Sequence, residues 1–393
     1  SRMDLPLHLV AGLEFTTLPQ QLANGVLLGA IYALIALGYT MVYGVLKLIN
    51  FAHGEVFMLG AYSALFASWW LGYGPGNTLV GSSAVNLLLM LLFSMAVCSL
   101  VGIIIERFAY RPMRNQPRIA SLITAIGLSL LLQYGGQLFL PSSPPPNIDA
   151  KVNPFRGNVE IPLKPKDSSL VAQIQEAETK AAESKAEFQS YLQSSGVDEF
   201  NLPPEGLELR TSFQTLEREA NNLKNKAAAS GLSIVMPLGQ LIMLGTTLIL
   251  MALLRHIVLF TKQGRAMRAV SHDFDSAALM GINVNSIVTF TFILGSALAG
   301  AGAMMNATFL SGTKIDTFFG LFPGVKAFVA AVLGGIGNIP GAVLGGLLMG
   351  LSETLVVWAG YDAYRDAVAF VILIVVLLFR PGGLLGSAKV EKV

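Results

Sequence analysis

The amino-acid sequence predicts an all-α polytopic membrane protein with about 8–10 transmembrane helices, several of them short or discontinuous, and an extracytoplasmic helical hairpin inserted between them. Of its 393 residues 53% are hydrophobic and only 13% are charged, whereas soluble domains carry about 25% charged residues. The apolar residues fall into runs of roughly 20, which at 1.5 Å per residue cross a ~30 Å hydrocarbon core. One polar stretch, residues 141–231, separates two sets of such runs.

The apolar runs give nine candidate spans, placed in residues 1–140 and 232–393 on either side of the polar insertion. Inside a bilayer each backbone N–H and C=O must be bonded within the protein, so the spans are expected to be helical, and broken stretches are expected only where other helices or a cavity shelter them. The spans are Leu22–Tyr43, Val56–Leu71, Leu87–Ile105, Ile119–Leu140, Leu232–Leu254, Ile287–Leu310, Phe318–Leu333, Ala342–Trp358 and Tyr364–Phe379.

Basic residues near the span ends predict the orientation in the cell inner membrane, because lysine and arginine accumulate in cytoplasmic loops. Three clusters are expected to be cytoplasmic, including the C-terminus, and nine spans then place the N-terminus and residues 141–231 outside. The clusters are Arg107, Arg111, Arg114 and Arg118; Arg255, Lys262, Arg265 and Arg268; and Arg380, Lys389 and Lys392.

The insertion, residues 141–231, contains two helical patterns with apolar or small residues at alternating spacings of four and three, a pattern typical of an antiparallel helical hairpin. The proline run Pro144–Pro146 precedes them and cannot continue a helix. The hairpin either contacts a partner that delivers solute or is a passive insertion. The two patterns are Leu170, Ile174, Ala177, Ala181, Ser184, Phe188, Tyr191 and Leu209, Phe213, Leu216, Ala220, Leu223, Ala227.

Polar residues near the first two spans are candidates for a translocation path, because polar groups in a membrane are costly unless they face a cavity or a partner. Asn50, His53 and Glu55 surround Gly54 just before the second span. This arrangement suits a discontinuous helix whose free N–H groups face a solute. The alternative is an ordinary helix start, with Asn50 as the N-terminal cap. The first span adds Asn24, Tyr32 and Tyr39 to the candidate path.

The stretch Gly334–Gly341 interrupts an apolar region and contains Gly337 and Asn338. Glycine and proline permit either an unwound segment lining a path or a tight cytoplasmic turn, and both interpretations are open. In the following span, Glu353 and Thr354 are further path candidates, and an intramembrane carboxylate is expected to have a partner or water. Three residues near the outer end of the next span are expected to form solvated ion pairs instead: Asp362, Arg365 and Asp366.

The loop of residues 261–285 is a candidate coupling segment, expected to carry a short helix that ends at Gly281. Small side chains on one side of it would let another protein approach closely and move the spans. The alternative is a surface loop whose arginines only set orientation. The candidate coupling residues are Gly264, Arg265, Arg268, Ala269, Ala277, Ala278 and Gly281.

The sequence offers little for catalysis or metal binding. No two of the four histidines have metal-ligand spacing, and neither a nucleophile-elbow motif nor a phosphate-binding loop is present. The single cysteine, Cys98, excludes a disulfide within the chain. We therefore expect a transport protein with no catalytic residue, metal or cofactor, in contact with the lipid bilayer and not with nucleic acid.

Short motifs on both sides of the insertion carry a resemblance to a known family. They are Asn24-Gly25, Tyr39–Gly44, Ile49–Glu55, Arg265–Ala269, Ala277–Asn283, Lys326–Phe328, Ala330–Gly337, Ile339–Gly341 and Pro381–Gly386. Together they closely resemble the LivH-type permeases of branched-chain amino-acid ABC importers. The resemblance covers most of residues 20–140 and 232–386, and the insertion departs from it in length and character.

The resemblance implies a complex of this chain with a second, related permease subunit, two cytoplasmic ATPase subunits and an extracytoplasmic solute-binding protein. ATP and magnesium would be used by the ATPase subunits, and the loop around residues 266–281 would dock on them. The implied solutes are leucine, isoleucine and valine, often with other neutral amino acids.

Two alternatives differ in solute or in energy source. Permeases for urea or short amides are similar in the same motifs. A proton-coupled secondary carrier would instead use His53 with Glu55 or Glu353, since histidine titrates near neutral pH. An intramembrane hydrolase would need a paired nucleophile and base that the sequence does not offer.

Overall fold

The computed structural model describes residues 17–75, 81–114, 116–164, 168–195, 203–230, 232–310 and 313–386. The chain forms two compact units, one of residues 1–158 with 236–393 and one of residues 159–235. In chain order the elements are α1 Leu18–Leu46, α2 His53–Ser68, α3 Ala84–Ile105, α4 Arg118–Phe139, β1 Asn158–Lys164, α5 Ser168–Ser195, α6 Pro204–Ser230, β2 Leu232–Pro237, α7 Leu238–Phe260, α8 Lys262–His272, α9 Phe274–Leu279, α10 Val284–Phe309, α11 Leu321–Gly334, α12 Ile339–Trp358 and α13 Ala367–Phe379.

Two helices continue beyond their α-helical part through a π-helical turn. In α2 the turn is Trp69–Tyr73, and in α3 it is Glu106–Tyr110, after which Arg111–Met113 returns to α-helical geometry. The third predicted span is therefore extended, reaching Met113 instead of ending at Ile105.

Among the described residues, seven helices are long and apolar enough to cross a membrane, and two shorter apolar helices, α11 and α13, accompany them. These nine helices correspond in order to the nine predicted spans. The prediction of a helical polytopic membrane protein is thus confirmed in its coarse form.

The all-α prediction is wrong for two short segments, β1 and β2. Residues Leu232–Pro237, taken as the start of the fifth span, form β2, which pairs with β1 in a two-stranded sheet. The helix starts only at Leu238, with Pro237 at its N-cap. An apolar run gives no boundary of its own, and proline is well tolerated at such a start because it lacks the N–H that a helix interior requires.

Helix α1 is the centre of the membrane unit. Of its most apolar stretch of 18 residues 89% are buried, compared with 17% for the corresponding stretch of α4. Its backbone touches that of α12 through small residues. A Cβ built on Gly346 would lie 2.4 Å from the Ala33 backbone nitrogen, and one on Gly350 would lie 2.3 Å from that of Gly29. Such close approach is how membrane helices gain packing energy without a hydrophobic driving force.

Replacing Gly346 with leucine is expected to destabilise the α1–α12 contact by about 1–3 kcal/mol, because the new side chain has no space beside Ala33. The measurement is the temperature at which detergent-solubilised protein loses its monodisperse elution peak. Gly245 in α7 is the matched control, because a Cβ there meets nothing within 4 Å. Equal thermal stability of Gly346→Leu and Gly245→Leu would contradict this packing.

The second unit contains α5 and α6, which pack on each other. The Ser184 and Ser212 hydroxyl oxygens lie 3.3 Å apart, and the Lys185 ammonium lies 5.7 Å from the centroid of the Phe213 ring. Phe188 and Ala220, both members of the predicted apolar patterns, are buried. The placement of this unit outside the cell stays a prediction.

Candidate functional site

The connection between α1 and α2 brings polar residues into the interior of the membrane unit. Helix α1 ends where Lys47 adopts a left-handed conformation with φ of 57°, and α2 begins at His53. Asn50, His53 and Glu55 are 2%, 1% and 2% exposed. The three polar side chains of this connection between two separate helices are therefore buried, and whether they face a solute stays a prediction.

Asn50 is not the N-terminal cap that the alternative interpretation assigned to it. The cap position of α2 is Ala52, which has no side chain able to cap. The Asn50 Oδ1 instead accepts a hydrogen bond of 3.0 Å from the Tyr110 hydroxyl. A tertiary contact therefore holds this side chain.

His53 and Glu55 face different neighbours. The His53 ring lies against α1, and its centroid is 4.5 Å from the centroid of the Tyr39 ring. It is also close to Gly38 of α1, because a Cβ built on Gly38 would lie 2.4 Å from the imidazole. The Glu55 Oε1 accepts a hydrogen bond of 3.0 Å from the Ser129 hydroxyl of α4. The structure therefore does not join His53 and Glu55 as a proton-relay pair.

Several buried polar atoms lack a hydrogen-bond partner among the described residues; in this region they include the His53 Nε2, the Glu55 Oε2, the Thr40 Oγ1 of α1 and the Gln133 Nε2 of α4. A buried polar atom without a partner costs about 1–3 kcal/mol, so each such atom in a folded protein calls for an explanation.

Glu353 lies at the centre of a buried ionic network and is fully buried. Its carboxylate accepts hydrogen bonds from the Tyr32 hydroxyl at 2.7 Å, the Lys326 ammonium at 2.8 Å and the Arg365 guanidinium. Lys326 also pairs with Asp366 at 2.6 Å. The expected partner of Glu353 is present, and both Glu353 and Tyr32 are already hydrogen-bonded within the protein.

Asp362, Arg365 and Asp366 are exposed, as expected, but two of them pair with buried residues instead of with one another. Arg365 contacts Glu353 and Asp366 contacts Lys326. Folding brings α1, α11, α12 and the segment before α13 together, and helical spacing within one segment could not reveal such partners.

Asn24 and Thr354 take part in local helix contacts. The Asn24 Oδ1 accepts a hydrogen bond of 3.0 Å from Gln20 in the same helix. The Thr354 hydroxyl donates a hydrogen bond of 3.1 Å to the Gly350 carbonyl of the same helix. The same hydroxyl lies beside Gly25 of α1, where an added Cβ would be 2.5 Å from the Thr354 Oγ1. Thr354 thus contributes to the α1–α12 packing.

The glycine-rich stretch between α11 and α12 is a tight turn. Gly335 and Gly337 have φ of 105° and 90°, values that L side chains rarely adopt. The Asn338 Oδ1 caps α12 by accepting from the Gly341 N–H at 3.1 Å, while its amide donates to the Leu385 carbonyl at 2.7 Å. Of the two interpretations of Gly337 and Asn338, this geometry favours the turn.

The candidate coupling segment consists of two short helices, α8 and α9, where one was predicted. They meet at Asp273, whose carboxylate accepts a hydrogen bond of 2.9 Å from the Ser276 N–H; this bond holds the pKa of the Asp273 carboxyl below its ordinary value. Gly281 follows with φ of 81°, which ends the segment as predicted.

The candidate coupling residues differ in exposure. Arg265, Arg268, Ala269, Ala278 and Gly281 are exposed, whereas Gly264 and Ala277 are buried. Gly264 lies where a Cβ would be 2.2 Å from the Ile257 carbonyl oxygen, and Arg268 bonds back to the end of α7 at Val258. Gly264 and Ala277 thus pack inside this chain, whereas the other members are exposed on its surface, Arg268 with its guanidinium bonded to α7.

Sequence reasoning missed two features, one in this segment and one at the end of α3. Leu279 and Met280 are 88% and 83% exposed, which places two apolar side chains at the end of α9. Glu106 was also missed, although a carboxylate directly after an apolar span is a visible signal; its side chain is fully buried.

Seven long apolar helices, which enclose buried polar side chains such as Asn50, His53 and Glu55, are the features of a multi-pass membrane protein. The family model described as the permease component of the branched-chain amino acid transport system matches residues 21–162 and 170–377. The chain belongs to this family of transport permeases, and it is not an enzyme.

Individual relatives agree with the family. The chain is 36% identical over 376 residues to BraD of Pseudomonas aeruginosa, a high-affinity branched-chain amino acid transport system permease protein, covering 95% of this chain and 97% of BraD. It is 33% identical over 383 residues to LivH of Escherichia coli K12, a permease protein with the same description, covering 97% of this chain and 99% of LivH. No solved structure matches the chain.

Proposed function

We propose that this chain is the membrane-spanning subunit of an ATP-driven importer for branched-chain or other neutral amino acids. Nearly full-length similarity to permeases of branched-chain amino acid transport carries the proposal. The polar connection of Asn50, His53 and Glu55 supports it, because this connection lies buried between the spans, where a solute would pass.

The chain works with four kinds of neighbour in this proposal: a second related permease subunit, two cytoplasmic ATPase subunits, an extracytoplasmic solute-binding protein and the lipid bilayer. The ATPase subunits bind ATP and magnesium. Leu279 and Met280 support contact with an ATPase, since apolar side chains this exposed are unfavourable in water unless another surface covers them.

The solute path includes Glu55 in this proposal. A neutral amino acid carries an ammonium group and a carboxylate, and the Glu55 Oε2, buried and without a partner among the described residues, offers a counter-charge to the ammonium. The urea alternative offers no such cation, so the nature of the solute separates the two.

The experiment for solute and partners is copurification from native membranes, followed by competition. We expect two ATPase chains and a related permease to accompany this chain, and we expect excess leucine, isoleucine or valine to block uptake of labelled leucine. Blocking by urea or acetamide at equal concentration, with no effect of isoleucine or valine, would favour the amide alternative.

The orientation proposed is a cytoplasmic C-terminus in the inner membrane, with residues 141–231 outside as a helical hairpin of α5 and α6. The packing of Ser184 against Ser212 supports the hairpin. The basic residues of α8, Lys262, Arg265 and Arg268, support a cytoplasmic position for the coupling segment.

Cysteine labelling tests this orientation. Cys98 is the single cysteine and is buried, so new cysteines at the exposed positions Ser190 and Gln263 report without interference. We expect a membrane-impermeant maleimide to label Ser190→Cys in intact spheroplasts and Gln263→Cys only after permeabilisation. The reverse pattern would overturn the orientation.

A further inference from the structure

The π-helical turn Glu106–Tyr110 turns two polar side chains of α3 inward. Glu106 is fully buried and Tyr110 is 3% exposed, whereas Phe108 between them is 73% exposed. A π-helical turn inserts one extra residue into a helix and recurs at functional sites. Here it aims Glu106 and Tyr110 at two different parts of the protein.

Glu106 ties the end of α3 to α10. Arg111 donates two hydrogen bonds to the Glu106 carboxylate, from Nε at 3.0 Å and from Nη2 at 2.7 Å. The Thr289 hydroxyl of α10 donates to the Oε2 at 3.0 Å, and Arg114 lies 3.4 Å from the Oε1. A buried carboxylate with this many donors has a fixed position, because leaving any charged partner unpaired there is costly.

Arg114 extends this link to the coupling segment. Its Nη1 donates a hydrogen bond of 2.8 Å to the Asn285 Oδ1 near the start of α10, and its guanidinium carbon lies 6.0 Å from the centroid of the Phe274 ring. Phe274 is the first residue of α9. The first residue of α9 therefore lies beside Arg114.

Tyr110 points from the same turn to the polar connection before α2. Its hydroxyl donates to the Asn50 Oδ1 at 3.0 Å and lies 3.3 Å from the Ile49 carbonyl oxygen. Asn50 in turn bonds His53 through the backbone, the His53 N–H donating to the Asn50 carbonyl at 3.1 Å. One helical turn thus contacts both the coupling segment and the candidate solute path.

We propose that the turn Glu106–Tyr110 transmits the position of the coupling segment to the polar connection Asn50–Glu55, with Glu106 and Tyr110 as positioning residues. The inference rests on the proposed function, because it presupposes an ATPase that moves α9. Coupling between two sites requires an element with two discrete arrangements. Conversion of a π-helical turn to an α-helical one shifts the residues after it by about one position, which would move Tyr110 away from Asn50.

The test compares leucine uptake with ATP hydrolysis in proteoliposomes that contain the complete transporter and its binding protein. Tyr110→Phe keeps the buried ring and removes only the hydroxyl that bonds Asn50. We expect this variant to hydrolyse ATP while the leucine imported per ATP falls roughly five- to tenfold. Phe108→Leu is the control on the exposed side of the same turn, and its ratio is expected to equal that of the wild type.

A double-variant cycle separates a specific link from general damage. Asn50→Ala is expected to lower the ratio by a similar factor, and Tyr110→Phe is expected to add no further loss in that background, because the pair is already broken. Glu106→Gln is expected to lower the ratio as well, since it weakens the contact with Arg114.

Unchanged leucine import per ATP in Tyr110→Phe would overturn the link. It would also be overturned if import per ATP in the double variant fell by the product of the two single-variant factors. Proportional loss of hydrolysis and uptake at an unchanged ratio would show a purely structural role and would overturn it too. Failure of the wild type itself to couple uptake to ATP would count against the proposed function, and so the two failures are distinguishable.

Discussion

Replacing Glu353 with leucine is expected to lower the free energy of unfolding by about 3–5 kcal/mol, the cost of removing one partner of a buried ion pair. Lys326, which is 5% exposed, and Arg365 would both lose the carboxylate that they share, and the exposed Asp366 would be left as the one ion-pair partner of Lys326 among the described residues. The Tyr32 hydroxyl would also lose its acceptor. The thermal midpoint of the purified protein in detergent should fall by on the order of 10 °C.

Asp362→Asn is the matched control for Glu353→Leu. Asp362 is exposed in the same region of the chain, and its replacement should change the midpoint little. A second variant, Tyr32→Phe, removes one hydrogen bond to Glu353 and should cost only about 1–3 kcal/mol. A midpoint for Glu353→Leu equal to that of the wild type would show that the network does not hold α1, α11 and α12 together.

Replacing Glu55 with glutamine is expected to lower leucine uptake by the complete transporter about 30-fold, equivalent to ~2 kcal/mol. Glutamine keeps the size of the side chain and can still accept the hydrogen bond from Ser129. It removes the negative charge that the proposed path offers to the ammonium group of the solute. The measurement is initial uptake of labelled leucine into proteoliposomes at saturating binding protein.

Two comparisons make the Glu55 result specific. Ser129→Ala removes the neighbouring hydroxyl without touching the charge and should reduce uptake far less. Glu183→Gln on the exposed surface of α5 removes an equal charge away from the path and should leave uptake unchanged. Normal uptake by a well-folded Glu55→Gln protein would exclude the carboxylate as a solute contact.

The lengths of the apolar runs predicted the order of the membrane helices well. The bilayer thickness sets the length of each span, and the need to hydrogen-bond every backbone group internally makes each span a helix. Run length did not predict where the helix α7 begins. The apolar residues Leu232–Pro237 were assigned to the start of a helix, yet they form strand β2. This strand forms by pairing with β1, which lies about seventy positions earlier in the chain.

The candidate site was predictable as a set of residue types but not as a set of contacts. The polar, glycine-containing sequence around His53 predicted a functional candidate, since polar residues are costly in a membrane, and its polar side chains are buried in the structure. Which neighbour each side chain meets depends on helix packing. Tyr32 and Glu353 are 321 residues apart in sequence, and no spacing rule relates them.

The burial of Glu106 was also not predictable from the sequence pattern. Helical periodicity assumes 3.6 residues per turn, and the π-helical turn at Glu106–Tyr110 breaks that assumption. The arginines of this region were interpreted only as markers of orientation. In the structure Arg111 and Arg114 also neutralise a buried carboxylate.

The most direct test of the proposed transport role is leucine accumulation in proteoliposomes, comparing this chain alone with the complete transporter. We predict that the chain alone accumulates no leucine under a proton gradient or with ATP, and that the complete transporter with its binding protein accumulates leucine only when ATP is supplied. Accumulation by the chain alone under a proton gradient would contradict the account, since the energy would then come from the chain itself and not from an ATPase.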